Sequence, residues 1–283
     1  MKKVIVIFTL CLGMFSFGQS QRFIYEYRFI PDSTDVQNVK NEVMYLDVDK
    51  KGSKFYSFDR ADSEKKAMED AQKSEGFGKA TELKGEVSTV VEKSYPSYST
   101  VFFNRLNNDI NMYKVTDDRK LNWKILPEKE KIGEFTAQKA SLDFGGRKWT
   151  AWFTTDIPIQ DGPYKFKGLP GMIIKVSDQT NSHVFELKGI KKLSSDQSWI
   201  SENKKGNEYQ RIIAVDLKKY KKLFLEDRNN PEKMVSQPSF GNVVIVGDNG
   251  QPLKSGEQAK ILKKYSDERN LKDNNIIEPD LLQ

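Results

Sequence analysis

Residues Gly145 to Ile174 read GGRKWTAWFTTDIPIQDGPYKFKGLPGMII, and no other stretch limits the possible folds as much. It holds three strand-like fragments, a Gly162-Pro163 turn and a Gly168-Leu169-Pro170-Gly171 corner. Pro170 fixes φ near the value needed at the second position of a tight turn, and Gly171 can take the positive φ needed at the third. This predicts a type II turn over Leu169 to Met172. Met172 to Val176 then reads as a strand, the polar cluster Ser177 to Ser182 as a hairpin loop, and His183 to Ile190 as the returning strand. Chain that reverses this often is committed to antiparallel pairing.

The same grammar recurs on both sides. Phe23, Tyr25, Tyr27 and Phe29 share one face at period two. Val43 to Asp47 and Lys54 to Phe58 predict a hairpin, and Thr100 to Asn104, Ile110 to Val115 and Trp123 to Leu126 predict further strands. The spacing Asp47-x-Asp49-x-Lys51-Gly52 fails as a calcium loop, because Lys51 takes a ligand position and Phe58 stands where a bidentate Glu is needed. From about residue 60 to 80 the chain becomes charged and Ala-rich, which predicts a surface helix or a mobile insertion. Helices are predicted over Asp216 to Glu226, with Tyr220 and Phe224 among the anchors, and over Gly256 to Arg269; Asn242 to Val246 predicts a strand entering a Gly247 to Gly250 turn. Strands in succession with helices grouped late define a mainly β or α+β class: a curved antiparallel sheet, half-barrel or sandwich-like, with a few peripheral helices. A βαβ dinucleotide fold is not expected from that order.

Gly162-Pro163, Phe166 and Gly168-Leu169-Pro170-Gly171-Met172-Ile173 resemble the signature of the GLPGLI family, with Met172 in place of Leu. The resemblance extends through Ile132-Gly133, Gln138-Lys139-Ala140, Gly146-Arg147 and Trp149 to Thr154, and reaches Asn274-Asn275. It implies a secreted or envelope protein with no established biochemical activity. Many members carry Cys in the segment equivalent to Glu134 to Ala140, where this chain has Ala137.

Residues 1–18 read as a cleaved secretory signal: Lys2-Lys3, an apolar run from Val4 to Phe17, and Ser16-Phe17-Gly18 before the polar Gln19. The run is shorter than the ~20 residues a spanning helix needs. The remainder, 19–283, is expected to form a single β-rich domain, exported to the periplasm or beyond and at most peripheral to a membrane. Cys11 is the only cysteine, so an exported chain cleaved after Gly18 has no disulfide. Without Lys2 and Lys3 there are 44 basic and 40 acidic residues, a net charge of +4. The lysines lie in scattered pairs and no nucleic-acid-binding motif is present, so nucleic acid is not an expected partner.

One histidine, His183, removes Cys/His metal sites and most acid-base designs, and no metal or cofactor is expected. Asp143, Asp156, Asp161 and Asp178 surround the motif; Asp156 and Asp161 are the pair a carboxylate hydrolase would use, although Asp161 and Asp178 are also ordinary turn residues. Trp149, Trp152, Phe153, Tyr164 and Phe166 crowd one span, and Trp149 and Trp152 point to opposite faces of a regular strand. These rings are the candidate lining of a site for a lipid, another apolar ligand, a peptide or an envelope protein; the competing reading is that they fill the core. A structural accessory subunit of an outer-membrane complex is the third reading. Gly162, Pro163, Gly168, Leu169, Pro170 and Gly171 are read as a structural device.

Overall fold

The structure, a computed structural model, describes residues 20–73, 82–107, 109, 111–194, 197–205, 211–231 and 251–283. The expected signal at residues 1–18, the strand and turn expected over 242–250, and residues 74–81 of the charged segment lie outside the described residues.

The chain opens with the aromatic strand β1 (Gln21–Phe29), then β2 (Lys40–Asp49) and β3 (Gly52–Ser57), which form a hairpin where Asp49 and Gly52 face each other. The Asp49 carboxylate accepts from the Lys51 N–H, so it caps a turn. Helix α1 (Phe58–Lys73) realises the charged segment, laced by the i,i+4 pairs Arg60–Glu64, Asp62–Lys66 and Lys65–Glu69. Strands β4 (Val90–Ser94), β5 (Ser99–Arg105), β6 (Met112–Asp117), β7 (Lys124–Ile132), β8 (Phe135–Phe144), β9 (Arg147–Thr154), β10 (Met172–Asp178), β11 (His183–Lys192) and β12 (Ile212–Asp216) follow. Helix α2 (Leu217–Asn229) is capped by the Asp216 carboxylate accepting from the Lys219 N–H; α3 (Ser255–Lys272) and a 3-10 turn at Pro279–Leu282 end the chain.

Among the described residues, twelve strands join one sheet in the order β12-β6-β5-β4-β3-β2-β1-β11-β10-β9-β8-β7. Eleven strands run antiparallel as expected. The exception is β12, which pairs parallel with β6. The chain reaches β12 by crossing the outer face, where Lys54 donates to the Ile200 carbonyl and Glu92 accepts from the Glu202 N–H, and a strand delivered by a crossover enters parallel. The sheet stays open: β7 is an edge blunted by Pro127, Glu128, Lys129, Glu130 and Lys131, all within or beside its register break.

Curvature is visible in side-chain distances. Phe55 on β3 and Phe185 on β11 are three strand spacings apart, roughly 14 Å on a flat sheet. Their ring centroids are 5.9 Å apart. The inner face therefore curls around a single core, built from the period-two sets Phe23/Tyr25/Tyr27/Phe29 and Met44/Leu46/Val48 with Phe102, Val115, Trp149 and Phe153.

Candidate binding site on the concave face

The motif loop from Thr155 to Gly171 folds onto the concave side and is fastened there by polar groups. Asp161 is the hub: one carboxylate oxygen accepts from Ser53 Oγ at 2.6 Å and Tyr95 OH at 2.5 Å, and the other accepts from the Gly162 N–H at 2.6 Å. The Lys93 ammonium contacts the same carboxylate; both side chains have 0% exposure. Lys93 Nζ also donates to the carbonyls of Gly162, Tyr164 and Phe166 at 2.7, 3.0 and 3.3 Å. Gly162-Pro163-Tyr164-Lys165-Phe166 is thus a loop wrapped around a buried cation. Burial lowers the Lys93 pKa, and the Asp161 charge opposes that shift.

The corner that follows departs from the type II turn expected. Leu169 O accepts from Gly171 N–H at 2.7 Å, one residue short of a β-turn closure, while the Met172 N–H goes to Ile157 O at 3.0 Å. Gly171 keeps a positive φ of 148°, and a Cβ there would lie 2.1 Å from Thr154 O. The corner is tight because strand β9 passes directly behind it.

A C-terminal strap, Asp273 to Leu281, closes the concavity and uses the other motif residues. Cβ atoms on Gly145 and Gly146 would meet Glu278, Pro279 and Asp280, so the Gly-Gly turn is where the strap passes closest. Arg147 donates to Asp178 Oδ2 at 3.0 Å, Asn275 Oδ1 at 2.6 Å and Ile276 O at 2.6 Å. His183 Nε2 lies 2.8 Å from the Asn275 carbonyl, which can only accept, so Nε2 carries the proton and Nδ1 accepts from Tyr27 OH at 2.6 Å. Burial, reinforced by the Arg147 charge, lowers the His183 pKa to about 4 and keeps the ring neutral. Glu278 is bound by Lys165 at 2.6 Å and by Arg119 at 2.5 Å, and accepts from Tyr164 OH. Burial raises its pKa, but the two cations outweigh burial and the net direction is down.

Between strap, α2 and sheet lies a cavity of about 270 Å³. Its walls are Tyr27, Phe29, Met44, Phe55, Phe102 and Phe185 from the inner face, Tyr220 and Phe224 from α2, and Ile276, Ile277 and Leu281 from the strap. Polar and charged groups share the wall: Asn104, which donates to Tyr220 OH at 2.7 Å, Arg228, bonded to Asp273, and Lys165, His183, Glu278, Thr89 and Glu86. A second cavity of about 290 Å³ lies on the outer face beneath α1, where Arg22–Asp47, Lys54–Glu202 and Arg60–Glu64 form ion pairs.

Of the five aromatic residues singled out from the sequence, only Tyr164 lines the concave cavity. Phe166 is a core hub, with ring centroids of Trp149, Phe144, Trp123 and Tyr164 between 4.8 and 6.2 Å away. Phe153 is buried beside it in the core, and Trp152 lies on the opposite face of β9 under Lys139. The core-filling reading describes Trp149, Phe153 and Phe166. The walls were missed because Met44, Phe55, Phe102 and Phe185 carry no local signature; Phe29 and Tyr27 were marked only as an inward strand face. The carboxylates do not converge: Asp161 and Asp178 are buried and bonded, while Asp143 and Asp156 are exposed. Among the described residues no group of three His, Cys, Asp or Glu side chains is placed to hold a metal, and no helix is long and apolar enough to cross a membrane.

Fold and site define a β-rich protein with one open curved sheet whose concave cavity is closed by its own C-terminal strap. Residues 145–175 match the model of a family described as "Protein of unknown function (Porph_ging)". Two solved structures of PNGF-II, in the P21 and C2 space groups, resemble the chain with TM-scores of 0.51 and 0.50 at 18% identity. Each likeness covers 75% of this chain and 34% of that one, so this chain spans about a third of the length of the PNGF-II chain, and the likeness is one of fold. No curated protein matches the chain significantly.

Proposed function

We propose that this chain is an exported, non-enzymatic envelope protein of the GLPGLI type that binds a small apolar or ring-bearing group in its concave cavity. The observation that carries the reading is the cavity itself: rings and aliphatic groups from the inner face, α2 and the strap line it together with charged and polar groups such as Lys165, Arg228, Asp273 and Glu278. Its volume lies just below the ~300–1,000 Å³ of small-molecule sites. It suits a ring, a short acyl segment or the side chain of a partner peptide better than a whole lipid. The GLPGLI assignment is supported by the Gly162 to Ile173 signature. The apolar run at residues 4–17 supports export.

A titration with anilinonaphthalene sulfonate tests the reading. Wild type is expected to bind the dye saturably at one site. Thr89→Trp, which puts a bulky ring on the cavity wall from a half-buried position, is expected to weaken binding about tenfold or more, 1.4 kcal/mol, with an unchanged thermal midpoint. Equal binding by both proteins contradicts the assignment.

A further inference from the structure

We infer that Lys93 and Asp161 become joined by an amide between Nζ and the side-chain carboxyl carbon, a self-formed cross-link from strand β4 to the motif loop. The two groups are in direct contact and have no exposure to solvent. Each is held by neighbours that suit the reaction. Three carbonyls, of Gly162, Tyr164 and Phe166, fix the nitrogen against the carboxyl group. Ser53 Oγ, Tyr95 OH and the Gly162 N–H stand on the carboxyl oxygens, where they stabilise the charge of a tetrahedral intermediate.

The step balances without a co-reactant. The step begins with a proton passing across the direct contact from the Lys93 ammonium, whose charged form burial disfavours, to an oxygen of the Asp161 carboxyl group. The neutral amine then attacks the carboxyl carbon, the C–N bond forms, the C–OH bond breaks, and one water leaves. The three ammonium hydrogens become one amide N–H, which serves one of the three carbonyls, and the two O–H groups of the departing water. A chain without cysteine after residue 11 has no disulfide available, and this bond would tie β4 covalently to the loop that builds the corner.

Denaturing intact-mass measurement of the mature protein tests the inference. The expected mass is one water below that of the sequence, and a tryptic digest is expected to leave the bond after Lys93 uncut and to yield a branched peptide joining the Lys93 and Asp161 segments. Lys93→Arg is expected to restore the full mass; if that variant does not fold, the branched peptide from wild type decides alone. A full sequence mass overturns the inference. So does a water loss with normal cleavage after Lys93, which assigns the loss to a succinimide at Asp161-Gly162, whose N–H lies 2.6 Å from the carboxylate.

Discussion

Gly168 and Gly171 flank one corner and both have positive φ, yet they do different work. Nothing lies within 4 Å of a Cβ at Gly168, whereas at Gly171 the β9 backbone does. Gly168→Ala should cost only the left-handed backbone term, about 1–2 kcal/mol, and Gly171→Ala clearly more. Urea midpoints measure both; equal losses would contradict the close-approach account. His183 makes a pH prediction. Its folded pKa, about 4, lies below the ordinary 6.5, so the unfolded chain takes up the proton first. Its contribution is fully present above pH 6.5 and is lost as pH falls toward 4, by about 3 kcal/mol in all. Stability measured from pH 7 to 4 should fall more steeply in wild type than in His183→Gln; parallel curves would contradict a neutral buried ring. The positive φ of Gly171 was readable from the sequence, although the type II turn expected there is not what forms. The close neighbour of Gly171 was not, because the Thr154 carbonyl reaches it from strand β9.

Among the elements, β4 shows why some strands were illegible. Its inward positions are Val91 and Lys93, and a lysine facing the core erases the alternation on which a strand is recognised. The aromatic β1 and the β2–β3 hairpin kept that alternation and were placed within a few residues. The strap was visible only as the isolated Asn274-Asn275, whose meaning depends on Arg147 lying across from it. Arg147→Met removes one partner of a buried ion pair and four hydrogen bonds to the strap, so a loss of about 3–5 kcal/mol is expected. Hydrogen exchange should locate the new mobility in residues 273–282; exchange unchanged there would show that the strap is held by other means.

For the molecule as a whole, curvature turns these local facts into a site. Period-two patterning identified the class and one buried face, but a cavity wall is assembled from five or more segments whose convergence is set by sheet order and bend. The aromatic motif residues were legible as a dense cluster, and the structure uses four of the five to pack the core or the opposite face, with the cavity formed beside them. Native mass spectrometry of the mature protein purified gently from its own envelope fraction tests the central claim most directly. Wild type should carry a bound mass that dissociates on activation, and Thr89→Trp should lack it. A clean apo wild type, or a bound mass retained in Thr89→Trp, would contradict binding in the concave cavity.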